Sequence, residues 1–177
     1  GHYAQYRDAT NESSMADILI YRRKEILPFF IRKMEELRTV LNRNLFAYDV
    51  YSVDYLDCLE LIPENTVVYA DPPYVFVHYS RFYHALETLV KYDYPNVRYK
   101  GRYRTDRHQS PFCIRTQVEE AFRQMFQKIK QKHSNLVLSY SDTGMIDLEH
   151  LTNLARSTFG HNYELDVQTI DYMHSTM

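Results

Sequence analysis

Glycine is scarce in this chain. There are four, Gly1, Gly101, Gly144 and Gly160, and no two lie close together. The Ser, His and Asp content supports no nucleophile elbow. Tryptophan is missing altogether, so the aromatic content rests on 17 tyrosines and 9 phenylalanines. Only two cysteines occur, Cys58 and Cys113. They are far apart and match no Cys-x-x-Cys pattern, so they read as free thiols of a reducing, cytoplasmic protein. The eight histidines are scattered. No His, Cys and acid set has ligand spacing, so no metal site is expected, and His84 and His108 read as surface or substrate-side groups. No apolar run approaches membrane-spanning length, no signal peptide is read, and no membrane partner is expected. The formal net charge of -2 carries no global nucleic-acid signature, so any basic surface must be local. Internal repeats and low-complexity tracts are missing too.

What is present fits one domain, or a piece of a larger one: 177 residues, 45% apolar and 25% charged. The organising stretch is Val67-Val68-Tyr69-Ala70-Asp71-Pro72-Pro73-Tyr74. Its first half is a short buried-strand signal. Two prolines then end any ladder and hold the chain in a stiff, extended turn. This sets a carboxylate, free backbone carbonyls and an aromatic face at the carboxyl end of a strand, where open α/β sheets bind ligands. Such a set suits a planar aromatic amine whose lone pair is delocalised into its ring. Asp71 and the Pro72 carbonyl would accept the amine hydrogens, and Tyr74 would stack on the ring.

Either side of this stretch the pattern is mixed. Residues 3–13 read as a polar loop. Met15 to about Asn42 has helical spacing, with Pro28 predicting a kink or a junction of two helices. Tyr48–Val53 alternates and predicts a strand. A helix over Tyr55–Ile62 and the central strand over Thr66–Ala70 would complete a parallel βαβ crossover. Asp54 and Asp71 would then share one sheet edge; for Asp54, a simple helix cap is the equal alternative. A helix is expected over Arg81–Val90. Residues 91–110 have no clean period, and basic residues alternate there with tyrosines, as suits phosphate contact and stacking. The candidate nucleic-acid residues are Tyr79, Arg81, Arg98, Lys100, Arg102, Arg104 and Arg107, against the alternative of a solvated hairpin. Thr116 to about Lys132 predicts an amphipathic helix with a Thr116–Glu119 capping box. A strand is expected over Asn135–Tyr140, with the polar run Ser139–Asp142 at its carboxyl end. Asp147 should cap a helix to Phe159 ending at Gly160, and Tyr163–Tyr172 reads as a last strand. Residues 1–47 form a helical segment in this reading, and residues 48–177 a core.

Val68-Tyr69-Ala70-Asp71-Pro72-Pro73-Tyr74 resembles the catalytic strand of the adenine-specific DNA methylase family. Tyr83-His84 with Glu87-Thr88-Leu89, Ser110-Pro111-Phe112, Leu138-Ser139-Tyr140-Ser141-Asp142 and the His174-Ser175-Thr176-Met177 end resemble it too. The resemblance implies an α/β fold, a partial Rossmann-like methyltransferase sheet with helices on both faces and an inserted basic and aromatic loop. Residues 48–177 would be the substrate half of the catalytic core. It implies S-adenosylmethionine as cofactor and DNA as partner. Catalytic roles would fall to Asp71, Pro72, Pro73 and Tyr74, with Tyr74 stacking on a base flipped from the duplex. Asp54, Asp71, Ser139 and Asp142 would lie on the cofactor side. The family's Phe-x-Gly-x-Gly segment has no counterpart here, which implies a missing N-terminal half or a second subunit that carries it. Gly1-His2 reads as a tag remnant and the end at Met177 as a truncation. Two alternatives stay open: methylation of RNA adenine or of the cytosine amine, and a DNA-binding remnant without a cofactor pocket.

Overall fold

The computed structural model describes residues 11–23, 25–43, 46–76 and 79–170. Readings that fall on residues 1–10 and 171–177, including the His-Ser-Thr-Met end, lie outside them. The order of elements is α1 (Glu12–Arg22), α2 (Ile26–Arg43), α3 (Tyr55–Leu61), β1 (Val67–Ala70), α4 (Ser80–Lys91), β2 (Val97–Arg98), β3 (Tyr103–Arg104), α5 (Val118–Gln131), β4 (Asn135–Leu138) and α6 (Leu148–Phe159). Short 3-10 turns at Pro111–Cys113 and Gly160–Asn162 complete the chain. It divides into two compact units, residues 1–52 with 80–107 and residues 53–79 with 108–177.

In the first unit the predicted long helix is two helices. The first ends at Arg22 and the second begins at Ile26, and Pro28 sits in the first turn of α2, where its missing N–H breaks no helical bond. No residue of α2 is buried. Within the 91–110 loop, β2 and β3 form a small antiparallel hairpin, with Val97 opposite Arg104 and Arg98 opposite Tyr103.

The second unit holds the core. Helix α5 places Val118, Ala121, Phe122, Met125, Phe126 and Ile129 on one buried face, as the periodicity requires. Leu59 of α3 and Leu151, Leu154 and Phe159 of α6 close around it. An aromatic run links these parts: Tyr55–Phe112, Phe112–Phe122, Phe122–Phe126, Phe126–Phe159 and Phe159–Tyr163 have ring centroids 4.8–5.8 Å apart. Asp147 caps α6 by accepting from the His150 N–H at 2.8 Å, and Gly160 ends it at φ 75°. Both match expectation. The capping box at Thr116 is not formed. The helix starts at Val118, and the N–H groups of Gln117 and Val118 both donate to the Ile114 carbonyl, so the backbone fills the role expected of Thr116.

Strands β1 and β4 pair in parallel, Val67 with Asn135 through Ala70 with Leu138. Their amino ends are pinned by Asn135 N–H to the Thr66 carbonyl at 2.9 Å and by Thr66 N–H to Ser134 Oγ at 3.2 Å. Val68, Ala70, Leu136 and Leu138 pack on the helices. The other face is bare: Val67 is 68% exposed, Tyr69 67% and Val137 52%. Among the described residues the helices therefore cover one face of this sheet, not both. The strands expected over Tyr48–Val53 and Tyr163–Tyr172 are not present in residues 48–53 and 163–170. Their alternation is real, but among the described residues no neighbouring strand exchanges ladder bonds with them, and a strand exists only in a pair. The βαβ crossover into β1 is consequently not formed.

Candidate active site

The two parallel strands end side by side. Ser139 N–H donates to the Ala70 carbonyl at 2.9 Å, so the ladder runs to the last residue of β1 and releases Asp71 directly after it. Asp71 is exposed, Pro72 is buried, and Pro73 and Tyr74 are half-buried. The proline pair thus anchors the turn in the protein while the carboxylate faces water. Across the strand pair, Ser139 and Asp142 are exposed and Ser141 is half-buried. The parallel pairing accordingly brings Asp71 and the Ser139–Asp142 run to one edge, as expected.

Tyr74 is held from behind. Its ring meets the Tyr140 ring edge-on, with centroids 6.4 Å apart, and Tyr140 meets buried Phe122 at 5.3 Å. Edge-to-face pairs of this kind are worth roughly 0.5–1.5 kcal/mol beyond the area they bury. The loop after β4 folds back over Tyr140. Ile146 N–H donates to its hydroxyl at 3.4 Å, and a Cβ on Gly144 would lie 2.4 Å from its ring. Gly144 is therefore the residue that lets the loop close on the ring. Burial raises the Tyr140 hydroxyl above the ordinary tyrosine value, which keeps it a neutral donor and acceptor. Within the same loop, Ser141 Oγ accepts from Thr143 N–H at 3.3 Å and lies 2.9 Å from Thr143 Oγ1.

Asp54 caps α3, its Oδ1 accepting from Leu56 N–H at 2.9 Å. The strand that was to carry it to the Asp71 edge is not formed, so its stated place beside Asp71 lacks its support. Among the described residues no group of three or more His, Cys, Asp and Glu could hold a metal ion.

The basic and aromatic segment has an ordered interior. Tyr103 receives a hydrogen bond from Arg81 Nε at 3.0 Å. The guanidiniums of Arg81 and Arg107 lie 5.7 and 5.3 Å from its ring centre, within cation–π range. His84 is buried and meets the same ring edge-on at 5.1 Å. Burial first, and the nearby Arg107 charge second, lower its pKa from the ordinary histidine value. Arg104 turns the other way. It is 3% exposed and grips Asp93 through two bonds of 2.6 and 2.7 Å. It also donates to both oxygens of Asp106 at 3.0 and 2.8 Å and to Thr88 of α4 at 3.2 Å. No donor of that guanidinium is left facing solvent in the manner of a phosphate ligand. Arg98, Lys100, Arg102 and Tyr79 are exposed.

Residues 15–154 match the family of D12 class N6 adenine-specific DNA methyltransferases. The chain belongs to that family. Relatives of this D12-class chain include modification methylase LlaI of Lactococcus lactis subsp. lactis, 32% identical over 106 residues, which are 60% of this chain and 17% of the relative. Type II methyltransferase M.FokI of Planomicrobium okeanokoites is 31% identical over 124 residues, 69% of this chain and 19% of the relative. Modification methylase StsI of Streptococcus sanguinis is 28% identical over 107 residues, 60% and 16% respectively. The matched part of the D12-class chain thus spans under a fifth of the length of each relative. No solved structure matches it. No helix among its described residues is long and apolar enough to cross a membrane.

Two features, one in each unit, are not read from the sequence pattern. One is Tyr140, the prop behind Tyr74; its signal was an aromatic residue just past β4 with a glycine four residues on. The other is the inward turn of Arg104, whose signal was the flanking pair Asp93 and Asp106.

Proposed function

We propose that this chain is the amine-binding part of an S-adenosylmethionine-dependent DNA methyltransferase acting on the N6 amine of adenine, on a Rossmann-like sheet. One observation carries the reading: Asp71 stands exposed at the carboxyl end of a parallel strand, on a buried proline anchor, beside a tyrosine braced by Tyr140 and Phe122. A base displaced from the duplex stacks on Tyr74. The Asp71 carboxylate accepts one amine hydrogen and the Pro72 carbonyl the other. Those two bonds draw the nitrogen lone pair out of conjugation with the ring. The catalytic gain is mostly orientation and electrostatics. Asp71, already accepting one amine hydrogen, would take the proton that the amine sheds once it has accepted the methyl.

The donor set at this edge, carboxylates of Asp71 and Asp142 with the Ser139 hydroxyl, suits a cationic sulfonium. Ser139 and Asp142 would hold S-adenosylmethionine, which supplies an electrophilic methyl. Asp54 has its residue type explained by its helix cap, so the proposal does not draw on it. DNA is contacted through Tyr79, Arg81, Arg98, Lys100, Arg102 and Arg107, with buried Arg104 left out.

The test is transfer of labelled methyl to duplex DNA, with the product nucleoside identified by mass. N6-methyladenine is expected from the wild-type chain, and at least a hundredfold less from Asp71→Ala, on the order of what loss of one preorganised charge contact costs. Undiminished transfer by Asp71→Ala would sink the assignment.

A further inference from the structure

Residues 80–108 contain seven cations and three acids. All three acids are engaged with cations of the same segment. Glu87 pairs with Lys91 at 2.8 Å, and Asp93 and Asp106 converge on Arg104. The acids are therefore drawn onto a buried guanidinium and a helix lysine, and away from the hairpin tip. Tyr103, the neighbour of Arg104 in β3, points to the opposite side, as the strand pleat demands. It carries Arg81 and Arg107 against its ring. Its own ring rests on Gly101, where a Cβ would come within 2.3 Å.

We propose that Arg104 is the positioning residue of a phosphate-binding module made by β2, β3 and the first turn of α4. The module's ligand is the sugar–phosphate backbone of a nucleic-acid strand. In it, Arg104 sequesters Asp93 and Asp106 and fixes Tyr103, and Tyr103 holds Arg81 and Arg107 as two preoriented guanidiniums. Planar, pre-held guanidiniums match phosphate oxygens with little ordering on binding, and such contacts set register rather than sequence choice. The inference rests on the DNA-methylase reading for its partner, but binding tests it without methyl transfer.

The discriminating variant is Asp93→Asn with Asp106→Asn in the full chain. Simple electrostatics says that removing two acids beside a DNA surface tightens binding. A positioning role for Arg104 says the reverse: the guanidinium loses its seat, Tyr103 shifts, and binding weakens. The measurement is anisotropy of a labelled mixed-sequence duplex across a salt series. Expected results are a several-fold weaker affinity for the double variant and a salt slope lowered by about one in Arg81→Ala and in Arg107→Ala. Arg104→Lys should weaken binding as much as Arg104→Met, because a lysine keeps the charge and loses the two-pronged grip. Tighter binding by the Asn variant, or wild-type affinity in Arg104→Lys, would overturn the proposal and leave Arg104 as an ion-pair partner that only holds the hairpin together. A wild-type chain that binds DNA through these residues without methylating it would refute the catalytic reading and leave this one standing. A methylating chain whose Asn variant binds more tightly does the opposite.

Discussion

A methyl group at residue 144 would sit 2.4 Å from the Tyr140 ring, closer than any side chain tolerates. The ring would have to move, and it lies between buried Phe122 and Tyr74. Gly144→Ala is therefore an overpacking change, expected to destabilise by roughly 1–3 kcal/mol. It should also lower methyl transfer by displacing the prop behind Tyr74. Urea denaturation and the transfer assay check the two effects separately; an unchanged unfolding midpoint would mean that the loop has room the geometry does not show. Asp71 differs in kind. It makes no packing contact whose loss should matter to the fold, so its substitution should change chemistry and leave stability alone. Gly144 and Asp71 thus separate support from reaction within one sheet edge.

Among the elements, the hairpin has a pH signature of its own. Hydrogen bonds from Arg104 hold the Asp93 and Asp106 carboxyls below the ordinary aspartate value, and Arg104 itself is pushed further into its charged form. Groups lowered on folding stabilise the folded state above their unfolded pKa, about 3.9, and lose that contribution as pH falls through the folded value. The amide of Thr105 donates to the Asn96 carbonyl across the hairpin base at 3.0 Å. Its hydrogen-exchange protection, corrected for intrinsic rate, should hold from neutrality to about pH 4 and decline only below. A decline setting in above about pH 4 but below the ordinary histidine value would point to His84 instead of the Arg104 clamp. The hairpin also marks where sequence reading stops. Helices α5 and α6 were legible because their signals are local: apolar spacing in Val118–Ile129, and an Asp147 and a Gly160 at the two ends. Tyr48–Val53 misled because alternation shows that a segment is able to pair, not that a partner lies beside it. Alternating Arg and Tyr in residues 98–107 likewise does not say which arginine turns inward. That choice depends on Asp93 and Asp106 meeting in space. The end of β1 before Asp71 was legible, since two consecutive prolines remove two ladder donors and fix the chain in an extended turn.

On the scale of the whole molecule, the core of the second unit turns on α5. Phe122 is fully buried and touches Phe112, Phe126 and Tyr140. Phe122→Ala should destabilise by about 3–5 kcal/mol, a large share of the roughly 5–15 kcal/mol that holds a typical domain. A fall under about 1 kcal/mol by denaturant titration would show that the unfolding being followed belongs to other residues. The pairing of β1 with β4 has a further consequence, in time rather than in space. Val67 and Asn135 are partners although the hairpin segment and all of α5 lie between them in the chain. As the polypeptide leaves the ribosome, β1 must therefore wait, unpaired, while the hairpin and all of α5 are made. Closing so long a loop between parallel strands is a slow step compared with coiling a helix. The edge that carries Asp71 is thus assembled late, after the hairpin segment and α5 have been made.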